Sequence, residues 1–260
     1  MMTFNDLLQE ATKKMNLTAI CETEEAMARH FLDSLSLMNT DILQKSGEAG
    51  IKAENVSEAE KISENIGKTE KRESKENSGE TDNIEKNEKR NPVKLIDVGT
   101  GAGFPGMPLG IANPEISVTL LDSLNKRIQF LEEAVEELET ENITPIWGRA
   151  EELARDERHR EQYDIAVSRA VADLSVLCEY CLPFVKQGGC FAAYKGSDIS
   201  EEAERAEKAI ETLGGSAEEI CSYQIPGTEI HHSLVLIRKT GPTPDKYPRR
   251  AGMPAKKPLK

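Results

Sequence analysis

Leu95-Ile-Asp-Val-Gly-Thr-Gly-Ala-Gly-Phe-Pro-Gly106 decides the fold of this 260-residue chain. An apolar run that ends in an acid is followed by Gly99, Gly101 and Gly103, which predicts a strand, a tight loop and a helix. Glycine accepts positive φ and lets the backbone approach a ligand more closely than any Cβ would permit. The N-terminus of the next helix suits polar or anionic groups, and Pro105 fits that helix start. The stretch therefore predicts a loop that binds a nucleotide-like cofactor.

The glycine spacing alone is shared by nicotinamide enzymes, methyltransferases and ordinary tight turns. A second apolar strand at 117–121 ends in Asp122, roughly 20 residues beyond the loop, where an acid suits a pair of ribose hydroxyls. The alternative interpretation is a strand–turn–helix unit that serves only packing, in which Asp122 binds no ligand.

The chain after residue 92 alternates strand and helix, which predicts a parallel sheet covered by helices on both faces. The predicted strands are 93–98, 117–121, 143–147, 163–168, 189–194, 219–225 and 233–239. The predicted helices are 106–111, 124–139, 151–155, 172–184 and 199–213. No helix separates the last two strands, so they predict an antiparallel hairpin that closes a seven-stranded sheet. This α/β pattern is typical of methyltransferases, whereas a six-stranded dehydrogenase would continue as a second βαβαβ half.

Composition divides the chain into four predicted parts. Helical periodicity over 3–16 and 24–43 predicts an N-terminal helical cap at 1–44. Residues 45–90 hold twelve acids, ten bases, five branched aliphatics and no aromatic residue, which predicts a disordered low-complexity insertion at 45–91. The sheet domain covers 92–240, and a basic flexible tail covers 241–260.

Charge gives two opposing indications about partners. The formal net charge of −13 and the pI near 5.0 argue against a nucleic-acid partner. The tail from Asp245 to Lys260 nevertheless holds six bases and one acid among several prolines. We interpret it as a flexible arm that binds phosphates, and the alternative is a solvated tail with no partner.

Apolar and cysteine content indicate a cytoplasmic protein. The sequence shows no signal-peptide core, long apolar run or lipidation signal. Five scattered cysteines fit reduced thiols better than a disulfide framework. Cys178 and Cys181 have redox spacing, but they lie in a helical pattern and lack a second Cys/His pair for zinc, so we expect a core or surface thiol pair and no metal.

Polar residues follow the predicted strands at the edge where ligands bind in open α/β sheets. Ala150 and Glu151, after the third strand, suit the edge of an adenine, with Phe104 or Ile128 as an apolar wall. The alternative is that Glu151 is only an acid favoured at a helix start.

Arg169 follows the fourth strand, where its planar fork could bind a cofactor carboxylate, a phosphate or a guanine edge. The alternative is a surface ion pair with Asp173. His30 and Asp33 share a helix face, which favours a polar joint that ties the N-terminal helices over the pocket. The adjacent His231 and His232 are interpreted as a pair of hairpin residues.

Together these residues resemble the RsmG (GidB) family of 16S rRNA (guanine-N7)-methyltransferases. The segments that carry the resemblance, in family order, are Asn16-Leu-Thr, His30-Phe-Leu-Asp-Ser-Leu, Asp97-Val-Gly-Thr-Gly-Ala-Gly-Phe-Pro-Gly, Leu121-Asp-Ser, Asn125-Lys-Arg, Arg149-Ala-Glu, Ser168-Arg-Ala and Lys246-Tyr-Pro-Arg. The insertion at 45–91 departs from the family, where related chains have a short connection.

The resemblance implies a class I, Rossmann-like enzyme that transfers a methyl group from S-adenosyl-L-methionine to N7 of a guanosine, position 527 in the 530 loop of 16S rRNA. It places Gly99, Phe104, Ala150, Glu151 and Arg169 on the family's cofactor positions. No catalytic residue is assigned, because guanine N7 carries a free lone pair and no proton. The implied partner is 16S rRNA, the small ribosomal subunit or its assembly intermediate, and we expect a monomer.

Three other functions stay open at this point. A small-molecule methyltransferase would share the cofactor pocket but has no use for a basic tail. A non-catalytic ribosome-assembly factor would bind RNA without methyl transfer. A nicotinamide dehydrogenase would bind NADH at the glycine loop.

Overall fold

A computed structural model describes residues 3, 4, 6–8, 24–42, 92–169 and 172–260. The predicted insertion at 45–91, the Asn16-Leu-Thr segment and Ala170 lie outside the described residues. Residues 4 and 6–8 are helical, as predicted for the start of the 3–16 segment.

The described domain is built on a seven-stranded sheet in the order β3-β2-β1-β4-β5-β7-β6. The strands are β1 Lys94–Val98, β2 Ser117–Asp122, β3 Ile143–Trp147, β4 Tyr163–Ser168, β5 Val185–Gly196, β6 Gly215–Gln224 and β7 His231–Lys239. The first five are parallel, and β7 runs antiparallel to both β5 and β6. The predicted seven-stranded sheet with an antiparallel end is confirmed.

The described helices cover both faces of this sheet. They are α1 Glu24–Ser34, α2 Gly106–Ala112, α3 Asn125–Glu137, α4 Ala150–Leu153, α5 Leu174–Cys181, α6 Ser200–Thr212 and α7 Met253–Lys256. Two 3₁₀ segments, Leu35–Asn39 and Leu182–Phe184, continue α1 and α5. None of the helices in the described ranges is both long and apolar enough to cross a membrane.

The apolar strand residues form one core cluster on each face of the sheet. Leu95 of β1 belongs to the first cluster and its neighbour Ile96 to the second, as the alternation of strand side chains requires. Every residue of β4 is buried, because helices cover both sides of a central parallel strand. This burial fixes the carboxyl edge of the sheet, where the predicted site residues lie.

The N-terminal cap packs on the glycine loop through aromatic rings. The rings of Phe4, Phe31 and Phe104 form an aromatic cluster. The ring centroids of Phe4 and Phe31 lie 5.8 Å apart, and they lie 5.8 and 5.5 Å, respectively, from that of Phe104. The predicted helix at 24–43 is α-helical only to Ser34, where the Ser34 hydroxyl donates to the His30 carbonyl. The Ser34 carbonyl accepts a 2.7 Å hydrogen bond from the Tyr194 hydroxyl, so the helix end is satisfied by the sheet.

The tail at 241–260, predicted to be flexible, is packed against the domain instead. Tyr247 is buried, and Arg249 forms an ion pair with the fully buried Glu179 of α5. Arg160 donates to the carbonyl oxygens of Tyr247 and Thr243 at 2.9 and 2.7 Å. The composition of the tail does not indicate this docking, because its partners lie 70 to 101 residues away along the chain.

Candidate functional site

The glycine loop joins β1 to α2 with three glycines at positive φ, which are 76° at Gly99, 62° at Gly101 and 99° at Gly103. A Cβ at Gly99 would meet nothing within 4 Å, and a Cβ at Gly101 would meet only the Gly99 carbonyl oxygen at 3.9 Å. A Cβ at Gly103 would lie 2.6 Å from the Met107 side chain. Gly99 and Gly101 therefore leave the loop open, whereas Gly103 serves the packing of the loop on the core.

Asp97 at the end of β1 fastens the loop to α2. Its Oδ2 accepts from the Thr100 hydroxyl at 2.6 Å and from the Gly106 backbone N–H at 2.8 Å. Its Oδ1 is buried and has no hydrogen-bond partner among the described residues. Burial raises the pKa of this carboxyl from its ordinary 3.8 to about 6. The loop thus contains a buried acceptor atom that the described protein leaves unpaired.

Asp122 reaches the same loop from the end of β2. Its Oδ2 accepts from the Gly101 backbone N–H at 2.9 Å and lies 3.2 Å from Nη1 of Arg127, while Oδ1 accepts from the Leu124 N–H at 2.8 Å. The side chain is almost fully buried. The sequence prediction that Asp122 and the glycine loop share one edge of the sheet agrees with this geometry.

Ala150 and Glu151 begin α4, beyond the end of β3. Glu151 is buried, and its Oε1 accepts a 2.8 Å hydrogen bond from the backbone N–H of Gly252 in the tail. The two residues predicted as an apolar wall for the adenine, Phe104 and Ile128, lie in different parts of the domain. Ile128 is a buried core residue of α3, whereas Phe104 lies in the aromatic cluster of the cap. The tail backbone therefore borders this end of the site.

Arg169 follows β4 and joins the cap to the glycine loop. Its Nη1 donates to Oδ2 of Asp33 at 2.9 Å and to the His30 carbonyl at 3.2 Å, and Cζ lies 4.9 Å from the Phe104 ring centroid. Among the described residues, Arg169 pairs with Asp33 and not with Asp173, which caps α5 through the Ser175 N–H and lies 3.9 Å from Nη2 of Arg205. Arg169 is thus held by the cap on one side and by an aromatic ring on another.

Asp33 is the centre of a polar cluster that sequence reasoning found only in part. Besides Arg169, it accepts from the Tyr223 hydroxyl at 2.6 Å and contacts Nδ1 of His232 at 2.8 Å. Burial alone would raise the pKa of Asp33, but the hydrogen bonds from Tyr223, His232 and Arg169 outweigh it and lower the pKa. His232 and Tyr223 carried no signal in the sequence, because they reach Asp33 only through the β6–β7 hairpin.

His30 shares a helix face with Asp33, but among the described residues no hydrogen bond joins the two side chains. Its ring lies 5.5 Å from the Phe104 ring, centroid to centroid. Burial and the neighbouring Arg169 charge lower the pKa of His30 from 6.5 to about 4, so the imidazole is neutral at pH 7. A polar contact between the cap and the site is present, as predicted. Asp33 forms it with Arg169, Tyr223 and His232.

Cys178 and Cys181 are both buried in α5, and burial raises the pKa of each thiol. This position agrees with the predicted thiol pair in the core. Among the described residues, no group of three or more His, Cys, Asp or Glu side chains is arranged to hold a metal ion.

A family model described as GidB, rRNA small subunit methyltransferase G, matches residues 80–231. The chain belongs to this family. The relative from Alkaliphilus metalliredigens named "Ribosomal RNA small subunit methyltransferase G" is 44% identical over 260 residues, which is 100% of this chain and 90% of the relative. Relatives of the same name from Clostridium tetani and Acetivibrio thermocellus are each 43% identical and cover 99% and 98% of this chain, and 88% and 86% of their own lengths.

Membership in the small-subunit rRNA methyltransferase G family confirms the resemblance seen in the sequence. It also confirms the predicted fold class and the prediction that the chain is a methyltransferase. The alignments with these relatives extend over nearly the whole chain, and so include the N-terminal cap and the docked tail.

Proposed function

We propose that this chain transfers a methyl group from S-adenosyl-L-methionine to N7 of the guanosine at position 527 of 16S rRNA. The family supports the reaction class and the RNA. The structural observation that carries the proposal is the open backbone at Gly99 and Gly101 beside the buried Asp122, at the carboxyl edge of a parallel sheet. A substrate of this kind also favours the cytoplasm as the location.

The described residues fit this cofactor. The open loop at Gly99 and Gly101 would hold the methionine part, and the buried unpaired Oδ1 of Asp97 is an acceptor beneath it. Each carboxylate oxygen of Asp122 can accept more than one donor, so it would bind ribose hydroxyls as well as the loop. Ala150 and Glu151 would border the adenine.

Phe104 and Arg169 complete the set of residues that would hold the cofactor. Gly103 supports the same loop from the core side. In the bound cofactor, the sulfonium supplies an electrophilic methyl carbon. When bound, the cofactor would offer this methyl carbon to the lone pair of guanine N7, and the electron pair of the broken S–C bond would stay on sulfur.

No proton moves in this step, so no general base is required. The residues of this chain contribute alignment and charge placement, which can supply several kcal/mol of barrier lowering. A substitution of Arg169 tests this role directly. If Arg169→Ala left both cofactor affinity and turnover unchanged, the assignment of Arg169 to the site would be wrong.

The exposed tail cations support contact with RNA phosphates. Lys246, Arg250, Lys256, Lys257 and Lys260 are all exposed, and none forms an ion pair within the described ranges. Because the docked tail presents them on a fixed surface, we infer that these cations neutralise phosphates of the rRNA backbone. Such contacts position the RNA and do not depend on its sequence.

Transfer of a labelled methyl group tests the proposal. Small subunits from cells that lack this protein should gain N7-methylguanosine at position 527 when they are incubated with the protein and labelled cofactor. Label in a metabolite pool would favour a small-molecule methyltransferase. RNA binding without label would favour an assembly factor, and quenching of NADH fluorescence would favour a dehydrogenase.

A further inference from the structure

A polar cavity of about 320 Å³ opens beside Arg169, at the carboxyl ends of β4 and β5. Its lining includes charged or titratable side chains from the cap, three strand ends and α6. These are Asp33, Arg169, Lys195, Asp198, Glu202 and His232. The volume lies at the low end of the range of about 300–1,000 Å³ for small-molecule sites, which suits a single nucleoside.

Most of the charged groups in this cavity are already held by protein partners. Nζ of Lys195 donates to the Ala172 carbonyl at 2.7 Å and lies 2.6 Å from Oε1 of Glu202. Asp33 accepts from three donors, as described above. These groups form rigid walls rather than free contacts for a ligand.

Besides the Nε2 atom of His232, two charged groups in the cavity have capacity left for a ligand. Asp198 is exposed at the rim and makes no hydrogen bond or ion pair with any other residue that the structure describes. The hydrogen bonds of Arg169 to the described residues all come from Nη1, which leaves Nε and Nη2 to donate elsewhere. The cavity therefore offers a carboxylate and a guanidinium to one bound molecule.

Among the four bases, this pair of groups matches guanine. Guanine has N1–H and N2–H₂ donors on its Watson–Crick edge, which a carboxylate can accept together, and an O6 acceptor for the guanidinium. Adenine presents an unprotonated N1 at that edge, so it repels a carboxylate there. RNA enzymes reach such a pocket by extruding one base from the stack.

We propose that this cavity binds the target guanine, with Asp198 accepting from N1–H and N2–H₂ and Arg169 donating to O6. The proposal rests on the proposed function and names its acceptor site. In this orientation N7 is not used for binding. Arg169 also contacts Phe104 of the glycine loop, so the cavity and the proposed cofactor site share one wall.

The Asp198 contact strengthens during the reaction. Methyl transfer puts positive charge on the purine ring, which makes N1–H and N2–H better donors to a carboxylate. An interaction that is stronger in the transition state than in the ground state raises kcat. Asp198 therefore acts on turnover as well as on base choice.

The test compares Asp198→Ala with Glu207→Ala, an exposed acid on α6 that lies outside the cavity lining. Both variants remove one negative charge, so changes in general RNA affinity cancel. The substrates are small subunits reconstituted with rRNA that carries either guanosine or inosine at the target. Inosine keeps N7, O6 and N1–H but lacks the 2-amino group.

We expect wild type and Glu207→Ala to prefer guanosine over inosine by about 10-fold in kcat/KM, as one base-edge contact is worth about 1–3 kcal/mol. Asp198→Ala should lower kcat on guanosine about 10–100-fold, reduce the preference to nearly 1, and leave the cofactor Kd unchanged. An unchanged preference, or a matching loss of cofactor affinity, would overturn the proposal. If wild type methylates neither substrate, the proposed function itself has failed.

Discussion

The docking of the tail depends on one buried ion pair, and Arg249→Met tests it. Glu179 has no exposed side-chain surface. Its Oε1 accepts from the backbone N–H and Nε of Arg249 at 2.7 and 2.9 Å, and its Oε2 accepts from Nη2 at 2.6 Å. Methionine keeps the apolar stem of the arginine but leaves the carboxylate with the backbone donor alone.

Removal of one partner of a buried pair costs about 3–5 kcal/mol, because the other charge stays buried without compensation. Domains of this kind have a free energy of unfolding of about 5–15 kcal/mol, so the loss is a large fraction of the total. At about 2–4 °C per kcal/mol for a chain of this size, the Tm should fall by about 10 °C.

Urea unfolding followed by circular dichroism measures this free energy for wild type, Arg249→Met and the control Arg250→Met. Arg250 is the exposed neighbour without an ion pair among the described residues, and its substitution should cost less than about 0.5 kcal/mol. The double variant Glu179→Leu/Arg249→Met should recover most of the loss, since it removes the buried charge. Equal, small losses for Arg249→Met and Arg250→Met would mean that the tail is undocked in solution.

Three further predictions concern the loop, the tail and pH. Gly101→Ala puts a Cβ at φ 62° inside the open loop, so the cofactor Kd measured by calorimetry should rise at least 10-fold. The control is Gly188→Ala, which is also at positive φ and in open space. It should cost only about 1 kcal/mol of stability. Lys256→Gln/Lys257→Gln should make the slope of log K against log salt for RNA binding shallower by about 1.4, and an unchanged slope would exclude these cations from the RNA surface. The raised pKa of Asp97 means that its neutral form favours folding. The stability of wild type relative to Asp97→Asn should therefore be highest below pH 4 and fall as pH rises through about 6, and a flat difference in urea titrations would contradict this assignment.

Strand positions could be predicted from the sequence where a strand is buried, and less well where it is not. β1 and β4 agree with their predicted ranges within one residue, because a central strand reads as an apolar run. β6 begins at Gly215, four residues before the predicted start. It is the edge strand, its side chains are mostly exposed, and its pairing with β7 rests on backbone hydrogen bonds that leave no apolar pattern.

The conformation of the tail could not be predicted from its composition. Prolines and bases over 245–260 are typical of a flexible arm, and nothing within the segment identifies an anchor. The anchor is Glu179, an acid within a helix that would ordinarily be read as a solvent-facing residue. Only the fold shows that α5 buries Glu179, and a buried carboxylate that stays ionised is normally paired with a cation.

The site also depends on contacts that span most of the chain. Asp33 bonds to Arg169, Tyr223 and His232, which are 136, 190 and 199 residues away. Among the described residues, the hydrogen bonds of Arg169 all use its Nη1 donor. The cap therefore does more than cover the sheet edge, because it fixes the direction in which the guanidinium can donate. Asp33, which shares a local helix face with His30, thus orients the arginine that follows β4, and Tyr223 of β6 and His232 of β7 hold the same carboxylate.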